Sequence, residues 1–593
     1  MFVTAMLLLI LLMLLLYLDC RKPRGYPPGP RWWPILGSIL EIARIRQEAK
    51  YLTKSCLTLC EKYGPVVGLK LGKDRIVVLN DLESVQAMLS DENCDGRPTG
   101  PLFEVRTFGR RQGLLVVDGR LWTEQRRFVM RHLRDFGFGR NTMAAIIEYE
   151  ARKLVKHFER LLQGCDHDHR RGITGDQRLP MNRKSKANTA GDQARRPAVN
   201  SDNNAGQIYK LQKEPGDLKK EQWSPYEESN VAENDAVGKR ASTVADLYVK
   251  ADDYAEVRRV AQSAGVVVFM HNAFGVTVLN TLWRMMAGKR YDTNDKELTH
   301  LQRIFAKLLE EVDMIGAPFS HFPALRYVAP EISGYKSYLE THQELWAFLK
   351  EELYNHKNTF VPSEPRDLMD VYLAVLHSKD HSDTFSESQL LAICVDLFVA
   401  GSETTSKSLA FGFMYLVLHP EVQRKAQKEI DRVVGRNRLP TLADRPSMPY
   451  IQATVLEFLR MFIGRSLSVP RRSLKDTFIK GYKIPKDTML VLNFNSICMD
   501  KSWGDPENFR PERFLDGDGS VFMPKNYFPF SMGRHRCMGE ALAKSNIFLI
   551  TATLLQAFNF SVAPGDPRPS AQDYVDGVTP APAPYRALIS PRA

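Results

Sequence analysis

The sequence predicts a mainly α-helical fold with small β-sheets, built as a single large domain. Helical periodicity fills most of the second half, short β-branched runs cluster near residues 65–80, and nothing repeats at a solenoid period. At 593 residues and 44% hydrophobic, the chain can bury a sizeable core, although its length alone would suggest several domains of average size.

From the N-terminus, residues 2–18, "FVTAMLLLILLMLLLYL", carry no charge and approach the ~20 residues that cross a bilayer. A cleaved signal peptide would end in small residues, whereas this stretch ends Tyr17, Leu18, Asp19, Cys20, so residues 1–20 are expected to be a retained membrane signal anchor. The basic "RKPR" that follows would hold the body of the protein on the cytosolic side. Residues 21–45 form a basic, proline-rich hinge, with "PPGP" at 27–30 as a stiff elbow. Residues 46–593 then make the body. Within it "VVGLKLG" and "RIVVLN" predict a small sheet, and helices are expected over roughly 144–163, 264–287, 297–314, 333–357, 386–418, 421–433, 447–462 and 540–558.

Residues 165–250 differ from the rest, being rich in Asn, Asp, Gln, Lys, Arg, Gly and Ser with few large apolar side chains. Such a segment cannot offset the entropy of ordering itself, so a disordered insertion in a surface loop is expected. Cys165, His167 and His169 at its start have ligand chemistry, but so flexible a context does not make a metal site.

The net charge of +12 suits an anionic membrane surface or an acidic protein partner. No zinc-finger spacing or interleaved aromatic pattern supports nucleic acid. Eight irregularly spaced cysteines do not make a disulfide framework, which fits a reducing compartment; Cys56 and Cys60, one helical turn apart, read as buried thiols.

Three motifs carry chemistry. "AGSETTS" at 400–406 puts poor helix formers in the middle of an apolar helix that starts near a capping pair, Ser386 and Gln389, and stops at Pro420. It would weaken the backbone ladder at one spot and open a groove for a small ligand, unless it is only a kink at a packing contact. In "LEFLRMF", Glu457 and Arg460 share a helix face, and "FRPERF" offers Arg513 as a third member of a buried architectural cluster. In "FPFSMGRHRCMGE" at 528–540, Phe530, Gly533, Cys537 and Gly539 follow the pattern F-x-x-G-x-x-x-C-x-G ahead of a long helix. The helix N-terminus and the basic flank would favour an ionised Cys537, a soft anionic metal ligand; Gly533 would permit a turn and Gly539 the close approach of a flat cofactor.

In this order and at these separations, the motifs resemble those of the cytochrome P450 superfamily, from the anchor to the last strand and excluding 165–250. The resemblance is to its microsomal branch, with an arthropod flavour in "GRHRCMGE" and "FSHFPALRYVAP". It implies the cytochrome P450 fold and a haem-thiolate monooxygenase. Cys537 would be the axial thiolate ligand of haem iron, donating electron density that favours O–O cleavage. Thr404, with Glu403 before it, would support proton delivery. Trp122 and Arg126 of "WTEQR" would reach the haem propionates, with Arg97 as a further cation. Two departures are evident: His535 stands where relatives usually have arginine, and Arg471 where they usually have histidine, so each exchange would conserve a donor for one propionate.

No flavin or iron–sulfur module is evident, so two electrons per turnover would come from NADPH through a partner, NADPH-cytochrome P450 reductase, with cytochrome b5 as a second donor. Arg126, Arg127, Arg131, Arg134, Arg536 and Lys544 would form the docking face. The endoplasmic reticulum membrane is the implied location. The substrate would be a hydrophobic small molecule such as a steroid, an isoprenoid hormone or a xenobiotic, in a pocket lined near 98–115, Asp396 to Thr404, 464–470 and Gly577 to Pro580, where the arginines of the first segment could anchor a polar group. Two alternatives are a haem-thiolate isomerase or dehydratase working without a reductase, and a non-catalytic haem-binding membrane scaffold.

Overall fold

Val66–Leu71 (β1) and Asp74–Leu79 (β2) pair antiparallel, with Leu71 opposite Asp74 across the turn at Gly72, whose φ of +53° favours glycine. β2 runs parallel to a later strand, Ile76 facing Met489. That pairing, with Arg471–Arg472 on the far edge, makes a four-stranded sheet. The structure is a computed structural model, and it describes residues 2–135, 141–171, 265–292, 295–310 and 312–592. The expected insertion at 165–250 therefore lies almost wholly outside the described residues, as do the side chains of Cys165, His167 and His169.

The helical expectations are met with small shifts of boundary. Helix α1 spans Phe2–Cys20, α2 Gly119–Asp135, α3 Asn141–Arg171 and α4 Gly275–Ala287. These are followed by α5 at Tyr335–Thr359, α6 at Leu368–His377, α7 at Glu387–Leu418, α8 at Pro420–Val433, α9 at Pro449–Ile463 and α10 at Glu540–Ala557. One expectation is corrected: the single helix over 264–287 is instead a strand, Val266–Phe269, a short 3₁₀ turn and then α4. Three consecutive valines pair with the C-terminal strand, Val266 opposite Ile589, so cross-strand packing overrides the helical pattern.

Helix α7 is the spine of the molecule. Ser386 Oγ accepts from Gln389 N at 3.1 Å, which satisfies one of the N–H groups left over at a helix start. The helix ends at Leu418, before Pro420. Its residues belong to the largest buried cluster, together with α4, α8, α9 and α10. Burial over most of its circumference matches a helix that is apolar nearly all round. α1 is long and apolar enough to cross a membrane; none of its residues is buried, and its last turn is tied to the body where Lys70 pairs with Asp19 and Ile35 N donates to Asp19 Oδ2 at 2.8 Å.

Candidate functional site

Four accessible positions near the middle of α7 share one stripe, while half-buried Val399 lies off it. Ala400 and Thr404 are exposed and Leu397 and Gly401 half-buried, whereas Phe398, Ser402, Glu403 and Thr405 are buried. Spacings of three and four residues put the first set on a single face. Hydroxyls in this stretch bond back to the helix: Ser402 to Phe398 O, Thr404 to Ala400 O and Ser408 to Thr404 O, each at 2.7 Å. The helix nonetheless stays continuous, so the stretch loosens the ladder without breaking it. Because Thr404 Oγ1 donates its proton to Ala400 O, its lone pairs are left to accept from outside. Glu403 lies on the buried side, 3.8 Å from Lys407 Nζ.

Two turns before Thr404, Asp396 is a buried hub. It accepts from Leu114 N at 2.5 Å and Leu115 N at 2.8 Å and is ion-paired with Arg106. Gly113 is needed beside it: a Cβ there would lie 2.2 Å from Asp396 Oδ2, and φ is +95°. Two of the three arginines of the 98–115 segment are therefore not spare for a substrate, whereas Arg110 is exposed. Arg106 is committed to Asp396 and Arg111 to Asp118 at 3.1 Å, while Phe103 is core.

Around Cys537 the sequence-predicted residues converge. Cys537 N donates to Phe530 O at 3.0 Å, closing the loop whose turn at Gly533 has φ +73°; a Cβ at Gly533 would come 2.9 Å from Leu89 O. Gly539 has φ −85°, and a Cβ there would meet only Cys537 Sγ at an ordinary 3.9 Å. Neither packing nor backbone therefore requires glycine at 539, which leaves room for a group approaching from outside the chain. Arg126 donates to Arg536 O at 2.6 Å and lies over Trp122, 5.3 Å from the ring centre. Trp122 packs on His535 with ring centroids 4.2 Å apart. Arg97 Nη2 is 3.4 Å from His535 Nδ1, and Arg471 pairs with Asp95 at 2.7 Å.

The electrostatics correct one expectation. Burial pushes the Cys537 thiol up; the Gly539 and Glu540 backbone N–H groups and the Arg126 guanidinium pull the other way and do not prevail. Arg536 and Lys544 offer little help, since both are paired with Glu540, at 2.7 and 2.8 Å. The residue is nonetheless exposed, so the sulfur is open to a cation arriving from outside the chain. Burial, followed by the nearby Arg471, lowers Arg97 to about 9. Burial and the Arg97 guanidinium push His535 down to about 3.

Haem fits these residues. Arg97 Nε and Arg471 Nη2 are buried donors that no described group satisfies, and two such cations side by side suit a pair of carboxylates. Sequence reasoning missed Asp95 and Asp118, and named Asp396 only as one end of a pocket-lining stretch, not as the anchor of the 106–115 loop. Asp95 precedes Arg97 by two residues, a spacing that gives no hint of its partnership with distant Arg471.

The family model described as Cytochrome P450 matches residues 27–164 and 249–588. "Probable cytochrome P450 303a1" of Drosophila melanogaster is 35% identical, covering 98% of this chain and 97% of its own. Farnesoate epoxidase of Bombyx mori is 29% identical over 99% and 98% of the two chains, and cytochrome P450 2J1 of Oryctolagus cuniculus 28% over 97% and 93%. The mainly helical architecture, the converging cations and a match that runs from the hinge to the last strand have one common account: the chain belongs to the cytochrome P450 family, a haem-dependent oxidoreductase.

Proposed function

We propose that the protein is a membrane-anchored haem-thiolate monooxygenase that inserts one atom of O₂ into a hydrophobic small molecule. The observation that carries this reading is the juxtaposition of accessible Cys537 with Trp122, Arg126 and the incompletely satisfied guanidiniums of Arg97 and Arg471. When bound, haem supplies oxygen activation and the oxidising power. Cys537 would hold its iron as thiolate, while Arg97, Arg126 and Arg471 would neutralise its carboxylates, and Phe530 and Gly539 would frame the sulfur. Thr404 Oγ1, whose proton is committed to Ala400 O, would accept from an incoming proton donor, with Glu403 as a reserve for proton supply.

The apolar stripe on α7 suits a substrate with little polarity, and the name of the Bombyx mori relative favours an isoprenoid over a steroid or other xenobiotic. Electrons come from NADPH through its cytochrome P450 reductase, with cytochrome b5 in support. These partners dock at a groove of about 650 Å³ lined by Arg126, Arg127, Arg131, Arg134 and Arg534, with Asp135 as its acidic residue. Helix α1 anchors the protein in the endoplasmic reticulum membrane and residues 46–593 form the cytosolic catalytic body.

The test is the carbon monoxide difference spectrum of the reduced protein. A red-shifted Soret band in the wild type that Cys537→Ala lacks is expected; a wild type without the band overturns the reading.

A further inference from the structure

Asp19 stands in the last turn of α1, an apolar helix that has no basic residue there. A carboxylate at that end meets the negative pole of the helix, so the helix itself gains nothing from it. Its partners lie in the body. Lys70, next to the end of β1 and 6% exposed, donates through Nζ to the Asp19 carbonyl oxygen at 2.8 Å and is ion-paired with the Asp19 carboxylate. The other carboxylate oxygen accepts from Ile35 N at 2.8 Å. One buried ammonium from the sheet thus supplies both the carbonyl cap and the counter-charge that α1 lacks.

The loop that meets Asp19 is shaped for the contact. Trp33 and Gly37 exchange backbone hydrogen bonds at 2.8 Å, and Ser38 N donates to Lys70 O at 2.6 Å, which pins residues 33–38 to β1. Gly37 has φ +66° and no space for a side chain, since a Cβ would lie 2.2 Å from Lys70 O. At the tip Ile35 has φ +63°, a strained conformation for a β-branched residue, and it is in this conformation that its N–H reaches Asp19. The same tip leaves Trp33, Ile35 and Leu36 45%, 62% and 38% exposed, with Arg31 4.8 Å from the Trp33 ring centre. A tryptophan and two aliphatic side chains with a cation at their edge suit the headgroup level of a bilayer.

We propose that Asp19 and Lys70 make the junction between α1 and the body rigid, and that the tip at Trp33, Ile35 and Leu36 seats in the surface of the bilayer that α1 spans. The body is then held on the membrane at two adjoining points and does not swing on a tether. The bilayer is the occupant because the tip is continuous with the end of the span: Ile35 is bonded to Asp19, and Arg21, Lys22 and Arg24 follow at once, cations suited to lipid phosphate. This inference rests on the reading of α1 as a membrane anchor and adds how the anchor is joined to the body.

The experiment uses the full-length protein in vesicles of brominated phosphatidylcholine and phosphatidylserine. It reads hydrogen exchange at the Ile35 amide and the fluorescence quenching that Trp33→Phe removes. Losing a hydrogen bond to a charged acceptor predicts that Asp19→Ala exchanges the Ile35 amide faster, on the order of tenfold, and that the Trp33 part of the quenching falls by about half or more. Lys70→Met, which keeps the buried stem, should do the same, and the double variant should add little, because both changes remove one coupled contact. Should either single variant fail to fold, the double variant, which leaves no unpaired charge, carries the same expectation against wild type. A wild type that does not float with the vesicles would overturn the anchor and this inference together. A wild type that floats without Trp33 quenching, or variants whose exchange and quenching match wild type, would overturn this inference alone.

Discussion

Glu457 and Arg460 close a doubly hydrogen-bonded pair, at 2.7 and 2.8 Å, in complete isolation from solvent. Arg513 Nε joins the same carboxylate at 3.1 Å and Arg510 N at 2.9 Å, while Arg460 also reaches Cys498 O and Pro506 O. Helix α9 is therefore locked to residues 498–513. Glu457→Ala would leave the buried Arg460 guanidinium without its anion, Arg513 keeping only Asp505 as its anion at 3.3 Å, and breaking such a pair costs about 3–5 kcal/mol. Thermal unfolding should show a large drop in midpoint, with Glu457→Gln intermediate. A midpoint within a degree or two of wild type would mean the cluster does not hold the segments together.

Thr404 separates a structural role from a chemical one. Its back-bond to Ala400 O slightly weakens the helix, so Thr404→Ala should leave stability unchanged within about 0.5 kcal/mol. Proton supply should suffer. The expected outcome is reductant consumption that exceeds product formation several-fold, measured as product per reductant in one assay. Full coupling in the alanine variant would remove Thr404 from the proton path.

Much of this arrangement was legible in the sequence, because the periodicity of a buried helix and the spacing of Glu457 with Arg460 are local signals. The Cys537 loop and the 400–406 stretch stand out by their own residue types, whereas Thr404 and Arg97 are singled out by the family resemblance alone. Partnerships across hundreds of residues could not. Asp396 with Leu114, Asp95 with Arg471 and Asp118 with Arg472 depend on how elements stack, and an isolated aspartate reads as a surface charge. The sign of the Cys537 shift was equally hidden, since it turns on how tightly neighbouring atoms crowd the sulfur. The strand at Val266–Phe269 was misread because its partner lies more than three hundred residues away.

His356 sits between Glu352 and Asp367, with Nε2 at 3.0 Å from Asp367 Oδ2. Lys289 from beyond α4 faces Glu352 at 3.1 Å, and Arg366 and Asp370 flank Asp367. Burial alone would lower this histidine, but its hydrogen bonds to Asp367 and Glu352 prevail and raise it to about 10. A folded value above the ordinary ~6.5 means the stabilisation is complete below that pH and is lost as pH rises toward about 10. Melting temperatures across this window should therefore fall more steeply for wild type than for His356→Gln. Parallel curves would show that the imidazole is neutral in the folded protein. Asp367, Asp370 and His356 also have metal-ligand chemistry, but these same bonds already occupy both ring nitrogens.

Asp396 pins the 106–115 loop to α7 by two backbone N–H groups and Arg106. Asp396→Asn leaves the Arg106 guanidinium buried beside a neutral amide, and removing one partner of such a pair costs roughly 3 kcal/mol or more. The loop should become more sensitive to limited proteolysis near Arg110, and substrate KM should rise more than kcat falls. Arg106→Gln added to Asp396→Asn should recover part of the loss, since no uncompensated charge remains. Unchanged cleavage in Asp396→Asn would locate the loop's anchorage elsewhere.

The groove beside Trp122 carries five arginines against one aspartate, a field suited to an acidic reductase. Charge reversal at a rim position mainly slows encounter, and salt screens it over a Debye length of about 8 Å at physiological ionic strength. Arg131→Glu should therefore raise the reductase concentration needed for half-maximal turnover several-fold at low salt and much less at 0.5 M salt. The carbon monoxide band should be unaffected, because Arg131 makes no hydrogen bond or ion pair with the residues around Cys537 in the described structure. An equal loss at both salt concentrations would mean that the substitution disturbs the fold of α2 and not the docking of a partner.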